Sequence, residues 1–283
     1  IKEIMQDDIL LLKKAAGILK LAIGTEDLID FRTILDELWK TTREEIDFLQ
    51  EAANLNLFYE NQRDIVYVTC PKVFHEFTTP RLLVMEYIDG MSISEYVKKN
   101  GKLDEKRGID MIRTVDHTLG YIHSKNELHL DITPRNMMFK KNNQIVLIDF
   151  GVSKHYSEDG KQSTSTPVAH SDGYAPKEQY LSEGLIEFSP ATDIYALAAT
   201  FYFMLTGTTP PNSNDRQQFL EEGKEILKIP DALSQRVRNA ISAGMCITRK
   251  GRLQNTQEFL DVLDGKYVSD EINVINVELG TSE

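Results

Sequence analysis

Apolar and polar residues alternate with two different periods in the first ninety positions of the chain. Residues 2–23 and 28–58 carry apolar side chains three or four positions apart with charged residues between them. This spacing predicts two amphipathic helices, separated by the break Gly24-Thr25-Glu26-Asp27. Residues 65–70 and 81–87 are short β-branched and apolar runs, which predict strands, and the second ends at the turn signal Ile88-Asp89-Gly90.

Beyond residue 90 the pattern predicts a mainly helical region with one β-hairpin. Ser92, followed three residues later by Glu95, has the spacing of a capping box and begins a short helix. Further helices are predicted at 110–124, 189–205 and 216–263, and the hairpin joins 137–139 to 145–148. Residues 267–283 have no helical or strand period and form a loosely ordered end in this prediction.

Composition narrows the class of protein and of partner. The chain has 283 residues, 41% hydrophobic and 27% charged, with a net charge of −12 that disfavours nucleic acid as a partner. Its two cysteines, Cys70 and Cys246, lack metal-ligand spacing, so no zinc site is expected. The longest apolar run, 194–205, is too short to be a transmembrane segment, and a cytoplasmic protein is expected.

The chemistry of the chain is concentrated between residues 129 and 151. Asp131 and Asn136 are five positions apart in the segment His-Leu-Asp-Ile-Thr-Pro-Arg-Asn, and Asp149-Phe150-Gly151 follows after the predicted hairpin. An acidic loop that only caps secondary structure is the alternative interpretation of these residues. Both motifs in this order resemble the catalytic loop and D-F-G of Ser/Thr protein kinases, notably the bacterial ones, over about residues 91–265. The resemblance implies that Asp131 accepts the acceptor's proton, while Asn136 and Asp149 hold Mg²⁺ on ATP.

The same resemblance assigns supporting roles downstream. Residues 153–171 are expected to form an activation loop, whose Ser/Thr cluster is either a solvated surface or a phosphorylation site. Glu178 is expected to pair with Arg252, and Asp193 to brace the backbone of the catalytic loop. His129 is expected to brace that loop as a packed histidine rather than to transfer protons.

The first ninety residues resemble a different family. The segment 45–54, with its E-x-D and E-A-x-N spacings, and the following Pro-Lys-Val-Phe at 71–74 are similar to the UbiB/AarF atypical kinases. This resemblance makes Glu51 the partner of an ATP-binding lysine and directs Glu45 and Asp47 toward the nucleotide. A surface helix with solvated acids is the alternative. In either kinase family the backbone of Glu86, Tyr87 and Ile88 is expected to bind adenine at the hinge.

Several parts of a kinase are missing or altered. No G-x-G-x-x-G loop and no strand lysine precede Glu51, and the missing part is expected upstream of Ile1. Leu130 stands where kinases carry an arginine that pairs with a phosphorylated activation loop, so such control is disfavoured. Thr133 stands where a lysine stabilises the transferring phosphoryl group, and Arg135 is a nearby cation whose role stays open.

These observations predict an α+β, bilobal protein-kinase-like fold with a truncated N-lobe and a mainly helical C-lobe. The expected domains are a partial N-lobe at 1–88, a C-lobe at 89–266 and a tail at 267–283. The expected activity is transfer of phosphate from ATP, with Mg²⁺, to Ser/Thr hydroxyls of a protein substrate. A UbiB-type kinase or ATPase of lipid or quinone metabolism and a pseudokinase scaffold are the alternatives. A recombinant gene and a misassembled sequence both account for the two-family mosaic.

Overall fold

The structure is a computed structural model that describes residues 10–14, 48–49, 52–53, 55–56, 71–140, 145–149, 154–155, 170–180 and 188–266. The chain divides into two units. The first consists of Ile1–Asn61 with Pro71–Tyr87, and the second of Gln62–Cys70 with Ile88–Glu283. The predicted strand at 65–70, most of the predicted helices at 2–23 and 28–58, and the tail at 267–283 lie outside the described residues.

The first unit has short helical pieces and an irregular antiparallel loop. Residues 10–14, 48–49, 52–53 and 55–56 are helical, as predicted for those positions. Between residues 71 and 87 the Phe74 amide donates to the Val84 carbonyl at 2.8 Å, and only isolated bridges form. The prediction of a regular strand at 81–87 is therefore wrong. The Val84 amide donates to the Thr78 hydroxyl at 3.2 Å rather than to a facing carbonyl, which interrupts the ladder.

The second unit opens with strand β1 (Gly90–Ser92) and helix α1 (Ile93–Asn100). The predicted capping box is confirmed, because the Glu95 amide donates to the Ser92 hydroxyl at 3.1 Å and the Ser92 amide donates to the Glu95 carboxylate at 2.9 Å. These bonds satisfy two amides that a helix start otherwise leaves without partners.

A buried pair of long helices forms the core of the second unit. Helix α2 (Glu105–Ser124) begins five residues before the predicted start, because Asp104 caps it by accepting from the Arg107 amide at 2.9 Å. Helix α3 (Pro190–Thr206) confirms the predicted central helix and ends at Gly207, whose φ is +76°. The helices approach closely at Gly108, where a Cβ atom would lie 2.7 Å from the Leu205 side chain.

Three shorter helices, α4 (Ser213–Glu221), α5 (Gln235–Gly244) and α6 (Thr256–Leu263), complete the helical part. Helix α3 contacts α2, α5 and α6, and its Ile194, Leu197 and Phe201 are fully buried. An all-round apolar helix of this kind is stable only inside a core. Among the described helices, none combines the length and the apolar character that a membrane crossing requires.

Two small antiparallel sheets flank the segment that carries the predicted site residues. Strands β3 (Met137–Lys140) and β4 (Ile145–Leu147) form the predicted hairpin, and β1 pairs with β3 to give the order β1-β3-β4. Strand β2 (Glu127–Leu128) pairs with β5 (Lys154–His155). The loop 129–136 thus connects β2 to β3, and the combination of helices with small antiparallel sheets is the predicted α+β class.

The Asp116 carboxyl on α2 is buried without a hydrogen-bond partner among the described residues. Asp116 is 1% exposed, and neither carboxyl oxygen has a hydrogen-bond partner in the part of the chain that the structure describes. Burial raises the pKa of Asp116 to about 8, and the charge of Arg113 opposes this rise. Arg113 itself donates to Asp264. The folded protein therefore holds a protonated carboxyl at neutral pH.

We expect Asp116→Asn to flatten the dependence of stability on pH. The folded pKa of about 8 lies above the ordinary aspartate pKa of 3.8, so folding retains a proton that the unfolded chain releases. The contribution of Asp116 to the free energy of unfolding is fully present below pH 4. It is lost as the pH rises toward 8, by up to about 1.4 kcal/mol per pH unit. Urea unfolding at pH 5 and pH 8 should show the variant gaining on the parent protein at pH 8. An equal change of unfolding free energy with pH in the two proteins would contradict a buried neutral carboxyl.

Candidate active site

The loop 129–136 is suspended from the buried carboxylate of Asp193 on α3. The Asp193 oxygens accept from the His129 amide at 2.9 Å and from the Leu130 amide at 2.8 Å. Leu130 has a φ of +64°, a left-handed conformation that is strained for a branched side chain. The two amide bonds hold this turn in place, which confirms the predicted bracing role of Asp193.

His123, at the end of α2, completes the surroundings of Asp193. Its Nε2 atom lies 2.8 Å from an Asp193 oxygen, and both side chains are buried. Burial favours the neutral acid, but the hydrogen bonds from His123 and the His129 amide outweigh it and hold the pKa of Asp193 below its usual range. Three hydrogen-bond donors around one carboxylate stabilise its ionised form.

His129 is a packed histidine in this structure. Its side chain is fully buried, and its Nδ1 accepts from the Asp131 amide at 3.3 Å. Burial lowers the pKa of His129, although the charges of Asp193, Asp131 and Asp149 act in the opposite direction. The neutral imidazole therefore supports the backbone turn of the loop, in agreement with the bracing role that was expected.

The Asp131 carboxylate is oriented on both of its oxygens. Asn136 donates its side-chain amide to one oxygen at 2.7 Å and to the Asp131 carbonyl at 3.0 Å. Ser171 donates its hydroxyl to the other oxygen at 2.8 Å. Asp131 is half-buried, and each carboxylate oxygen can accept a second hydrogen bond. The group is thus positioned and still able to accept a proton or hydroxyl from outside.

Asp149 follows β4 and is connected to the loop through Asn136. The Ile148 amide donates to the Asn136 carbonyl at 2.8 Å, so the end of the hairpin is bonded to the end of the loop. Asp149 is exposed with a φ of +65°, and its charge reaches His129. Phe150 and Gly151 lie outside the described residues.

Asn136 and Asp149 offer oxygen ligands of the kind that Mg²⁺ prefers. The Asn136 amide nitrogen is committed to Asp131, which leaves the side-chain oxygen as the atom that could reach a cation. No group of three or more His, Cys, Asp or Glu side chains suited to a metal occurs within the described residues. A site of one carboxylate and one amide oxygen fits Mg²⁺ shared with phosphate and water rather than a metal held by protein alone.

Three side chains fix the loop in ways that motif spacing did not indicate. Ser171 holds Asp131, Gln179 donates to the Leu130 carbonyl at 2.8 Å, and Thr200 donates to the Ile132 carbonyl at 3.0 Å. Gln179 and Thr200 are buried. Ser171 had a weak signal in the sequence, since a hydroxyl residue two positions before Gly173 ends the polar segment. Gln179 and Thr200 donate to backbone carbonyls far along the chain, and nothing local indicates them.

The segment that carries Ser171 and Gln179 is anchored by an ion pair. Arg252 donates to both oxygens of Glu178, at 2.6 Å and 3.2 Å, and also to the Ala191 carbonyl at 3.0 Å. The Arg252 side chain is fully buried. The predicted pair of Glu178 with Arg252 is therefore confirmed, and it connects this segment to the start of α3 and to the residues before α6.

The altered loop positions have distinct environments. Leu130 and Thr133 are buried, and an apolar and a small polar side chain suit these places. Arg135 is exposed, and its charge acts on the Tyr174 hydroxyl, whose pKa burial raises. The positive charges that a typical kinase loop carries at positions 130 and 133 are thus absent. The positive charge of Arg135 acts on Tyr174.

The remaining predicted site residues are those expected to bind the nucleotide. Glu51, Glu45 and Asp47 lie outside the described residues. Glu86 and Tyr87 end the first unit, Ile88 begins the second stretch of the other unit, and Tyr87 is 83% exposed. The Glu86 amide donates to the Lys72 carbonyl at 2.7 Å, so this amide is already used within the chain.

Comparison with known proteins gives a family match and several curated relatives. A sequence model described as the ABC1 atypical kinase-like domain matches residues 1–170, which include Asp131, Asn136 and Asp149. Serine/threonine-protein kinase F of Synechocystis is 31% identical over 65% of this chain and 36% of its own length. A probable serine/threonine-protein kinase of Clostridium acetobutylicum is 30% identical over 67% of this chain and 29% of its own. The probable kinase PknB of Lactococcus lactis is 24% identical over 65% of this chain and 30% of its own.

Two facts follow from these comparisons. The family match continues past residue 90, so it includes the loop 129–136 as well as the segment that resembles UbiB/AarF proteins. The chain spans about a third of the length of the curated relatives it matches.

We expect Asp193→Asn to destabilise the protein by about 3 kcal/mol, because the amide presents a donor to the backbone donors of the loop. Urea unfolding measures the loss. Asp215→Asn, which neutralises an exposed acid on α4, is the control and should change stability by less than about 0.5 kcal/mol. Equal effects of the two substitutions would show that Asp193 does not hold the loop.

Proposed function

This chain belongs to the ABC1 atypical kinase-like family, and from that premise we propose that it transfers the γ-phosphoryl group of ATP to a Ser or Thr hydroxyl of a protein. The observation that carries the proposal is the Asp131 carboxylate, which is held by Asn136 and Ser171 on a braced loop. The names of the serine/threonine-protein kinase relatives support a protein substrate.

In this proposal Asp131 orients the acceptor hydroxyl and takes its proton as the phosphoryl group is transferred. The carboxylate is half-buried and its rotamer is fixed from two sides, which is the preorganisation that such a base requires. Ser171 and Asn136 act as positioning residues that determine the direction of the free lone pairs. His129 keeps the backbone of the loop in its turn.

Asn136 and Asp149 are the residues that would hold Mg²⁺, and the backbone of Glu86, Tyr87 and Ile88 would hold the adenine of ATP. The metal, when bound, neutralises charge on the phosphates. The bond between the Asn136 carbonyl and the Ile148 amide supports this assignment, because it keeps the amide side chain and the carboxylate of the neighbouring Asp149 on connected backbone. Glu51 is proposed to align a lysine, as the resemblance to atypical kinases implies.

A second candidate is an ATPase or small-molecule kinase of the UbiB type. The extension of the ABC1 match through residue 170 favours it, because the match includes both the segment that resembles UbiB/AarF proteins and the loop 129–136. The buried, uncharged Thr133 also favours slow transfer, since a cation at that position stabilises the transferring group in protein kinases. A binding scaffold without turnover is the limiting case of this argument.

The test is transfer of labelled γ-phosphate with Mg²⁺ to one acidic and one basic generic protein, using the parent chain, Asp131→Asn and Asp149→Asn. We expect labelling to fall by about 10²–10⁴-fold in each variant, because a base or a metal ligand is lost. Asp215→Asn is the matched control and should label like the parent.

The outcomes separate the candidate functions. Release of phosphate without labelling, abolished by Asp149→Asn, would replace the protein-kinase proposal with the UbiB-type one. Labelling that persists in both variants would exclude these residues from the chemistry. If the parent chain neither labels a protein nor releases phosphate, the scaffold would be favoured.

We expect Ser171→Ala to lower kcat by about 5- to 30-fold with little change in KM, the effect of losing one hydrogen bond of about 1–2 kcal/mol to the base. Ser171→Thr retains the hydroxyl and should restore most of the rate. Steady-state kinetics of the parent chain and both variants give the changes in kcat and KM separately. Urea unfolding checks that the variants fold. A loss of stability in Ser171→Ala that matches the loss of rate would identify Ser171 as structural only.

A further inference from the structure

Asp172 is an exposed acid that lies next to a residue in contact with the proposed base. It follows Ser171, whose hydroxyl donates to the Asp131 carboxylate at 2.8 Å. Because successive Cα atoms are about 3.8 Å apart, the two carboxylates are separated by at most about 13 Å. An extended peptide advances about 3.3–3.6 Å per residue, so a long side chain near an acceptor at Asp131 can reach Asp172.

Two donors fix the orientation of the Asp172 side chain, and both bind the same oxygen. Its Oδ1 atom accepts from the Tyr180 hydroxyl at 3.0 Å and from the Asn212 side-chain amide at 3.1 Å. Asn212 also donates to the Tyr180 hydroxyl at 2.9 Å, which closes a triangle of three bonds. The Asn212 amide cannot turn freely, because its oxygen caps α4 by accepting from the Asn214 amide at 2.8 Å. The carboxylate is therefore held in one direction.

The backbone around Asp172 is fixed as well. The Tyr174 amide donates to the Ser171 carbonyl at 3.0 Å, which closes a turn with Asp172 in its first half. Gly173 has a φ of +83°, and a Cβ atom there would lie 2.6 Å from the Pro210 carbonyl oxygen. Only glycine permits both this conformation and this approach. The turn is thus packed against residue 210, and the position of Asp172 relative to Ser171 is set by the fold.

The second oxygen of Asp172 is open. Among the described residues, Oδ2 accepts no hydrogen bond and no basic side chain forms an ion pair with Asp172. Exposure alone does not produce this state, since Asp231, which is 99% exposed, is paired with Arg238 at 2.9 Å. A carboxylate that is oriented through one oxygen and open at the other can bind an external donor without first losing rotational freedom.

We propose that Asp172 binds a Lys or Arg residue close to the acceptor hydroxyl, so that the substrates of this chain are proteins with a basic residue beside the Ser or Thr. The inference rests on the proposed function for the identity of the acceptor. The basic side chain donates a charge-assisted hydrogen bond to Oδ2, while Oδ1 stays bonded to Tyr180 and Asn212. The net charge of −12 favours the approach of such a substrate, and Asp172 determines where its charge is placed.

The test compares three peptides of equal length with one central Ser, flanked on both sides by Lys, Gln or Glu. Fluorescence anisotropy gives the Kd of each peptide without any need for turnover, and phosphate transfer gives kcat and KM. We expect the Lys peptide to bind about three- to fivefold more tightly than the Gln peptide, as for an exposed charge pair. The ratio of the two Kd values should fall as NaCl is raised.

Asp172→Asn should bring the Kd values of the Lys and Gln peptides together. The asparagine keeps a side-chain oxygen that can accept from Tyr180 and Asn212, so the variant removes the charge and retains the turn. Asp172→Lys should transfer the preference to the Glu peptide. Asp231→Asn is the matched control, because it removes the same charge from an exposed aspartate that already has a partner in the chain. It should retain the preference of the parent chain for the Lys peptide.

Each result bears on the proposal. Equal Kd values for the Lys and Gln peptides in the parent chain would overturn it. So would a preference that persists in Asp172→Asn, or one that falls equally in Asp172→Asn and Asp231→Asn, since the overall charge of the chain would then be its cause. Charge-dependent binding that only Asp172→Asn removes, without any phosphate transfer, would uphold Asp172 as the group that binds a basic residue while the proposed function fails.

Discussion

The bonds between Asp193 and the loop are the constraint on which the site depends. A carboxylate enclosed in a core is costly to ionise, and here it accepts from two backbone amides and lies 2.8 Å from His123. Those amides belong to a turn in which Leu130 has a left-handed backbone, a conformation that needs external support. Because α3 is packed on all sides, the support is rigid, and the position of Asp131 follows from it.

From that anchor the order spreads through hydrogen bonds from side chains to the loop backbone, together with the burial of Leu130 and Ile132. The carbonyls of Leu130 and Ile132 accept from Gln179 and Thr200, so neighbouring peptide groups of the loop are fixed in turn. Asn136 then bonds both to Asp131 and to the hairpin. This continuity explains how the loop holds the half-buried Asp131 carboxylate in one orientation.

The sequence was informative where one residue determines its neighbours or where a motif has fixed spacing. The capping box at Ser92, the hairpin after Asn136 and the bond of Asp193 to the loop were all predictable. The strand at 81–87 was not, because a threonine hydroxyl took the amide that a ladder needs. The partner of Ser171 was not predictable, since Asp131 is forty positions away and no period or spacing links the two residues. Long-range bonds of single polar side chains leave no local pattern.

Two buried carboxylates on the core helices show what determines the charge of an acid in this protein. Asp193 on α3 and Asp116 on α2 are equally enclosed, yet the pKa of the first is lowered and that of the second is raised to about 8. The difference lies in their donors, because Asp193 accepts from two amides and has His123 beside it, whereas Asp116 accepts none from the described residues. Burial alone therefore does not identify a functional acid. The donors arranged around an acid do, and by that criterion the negative charge in this core serves the loop that carries Asp131.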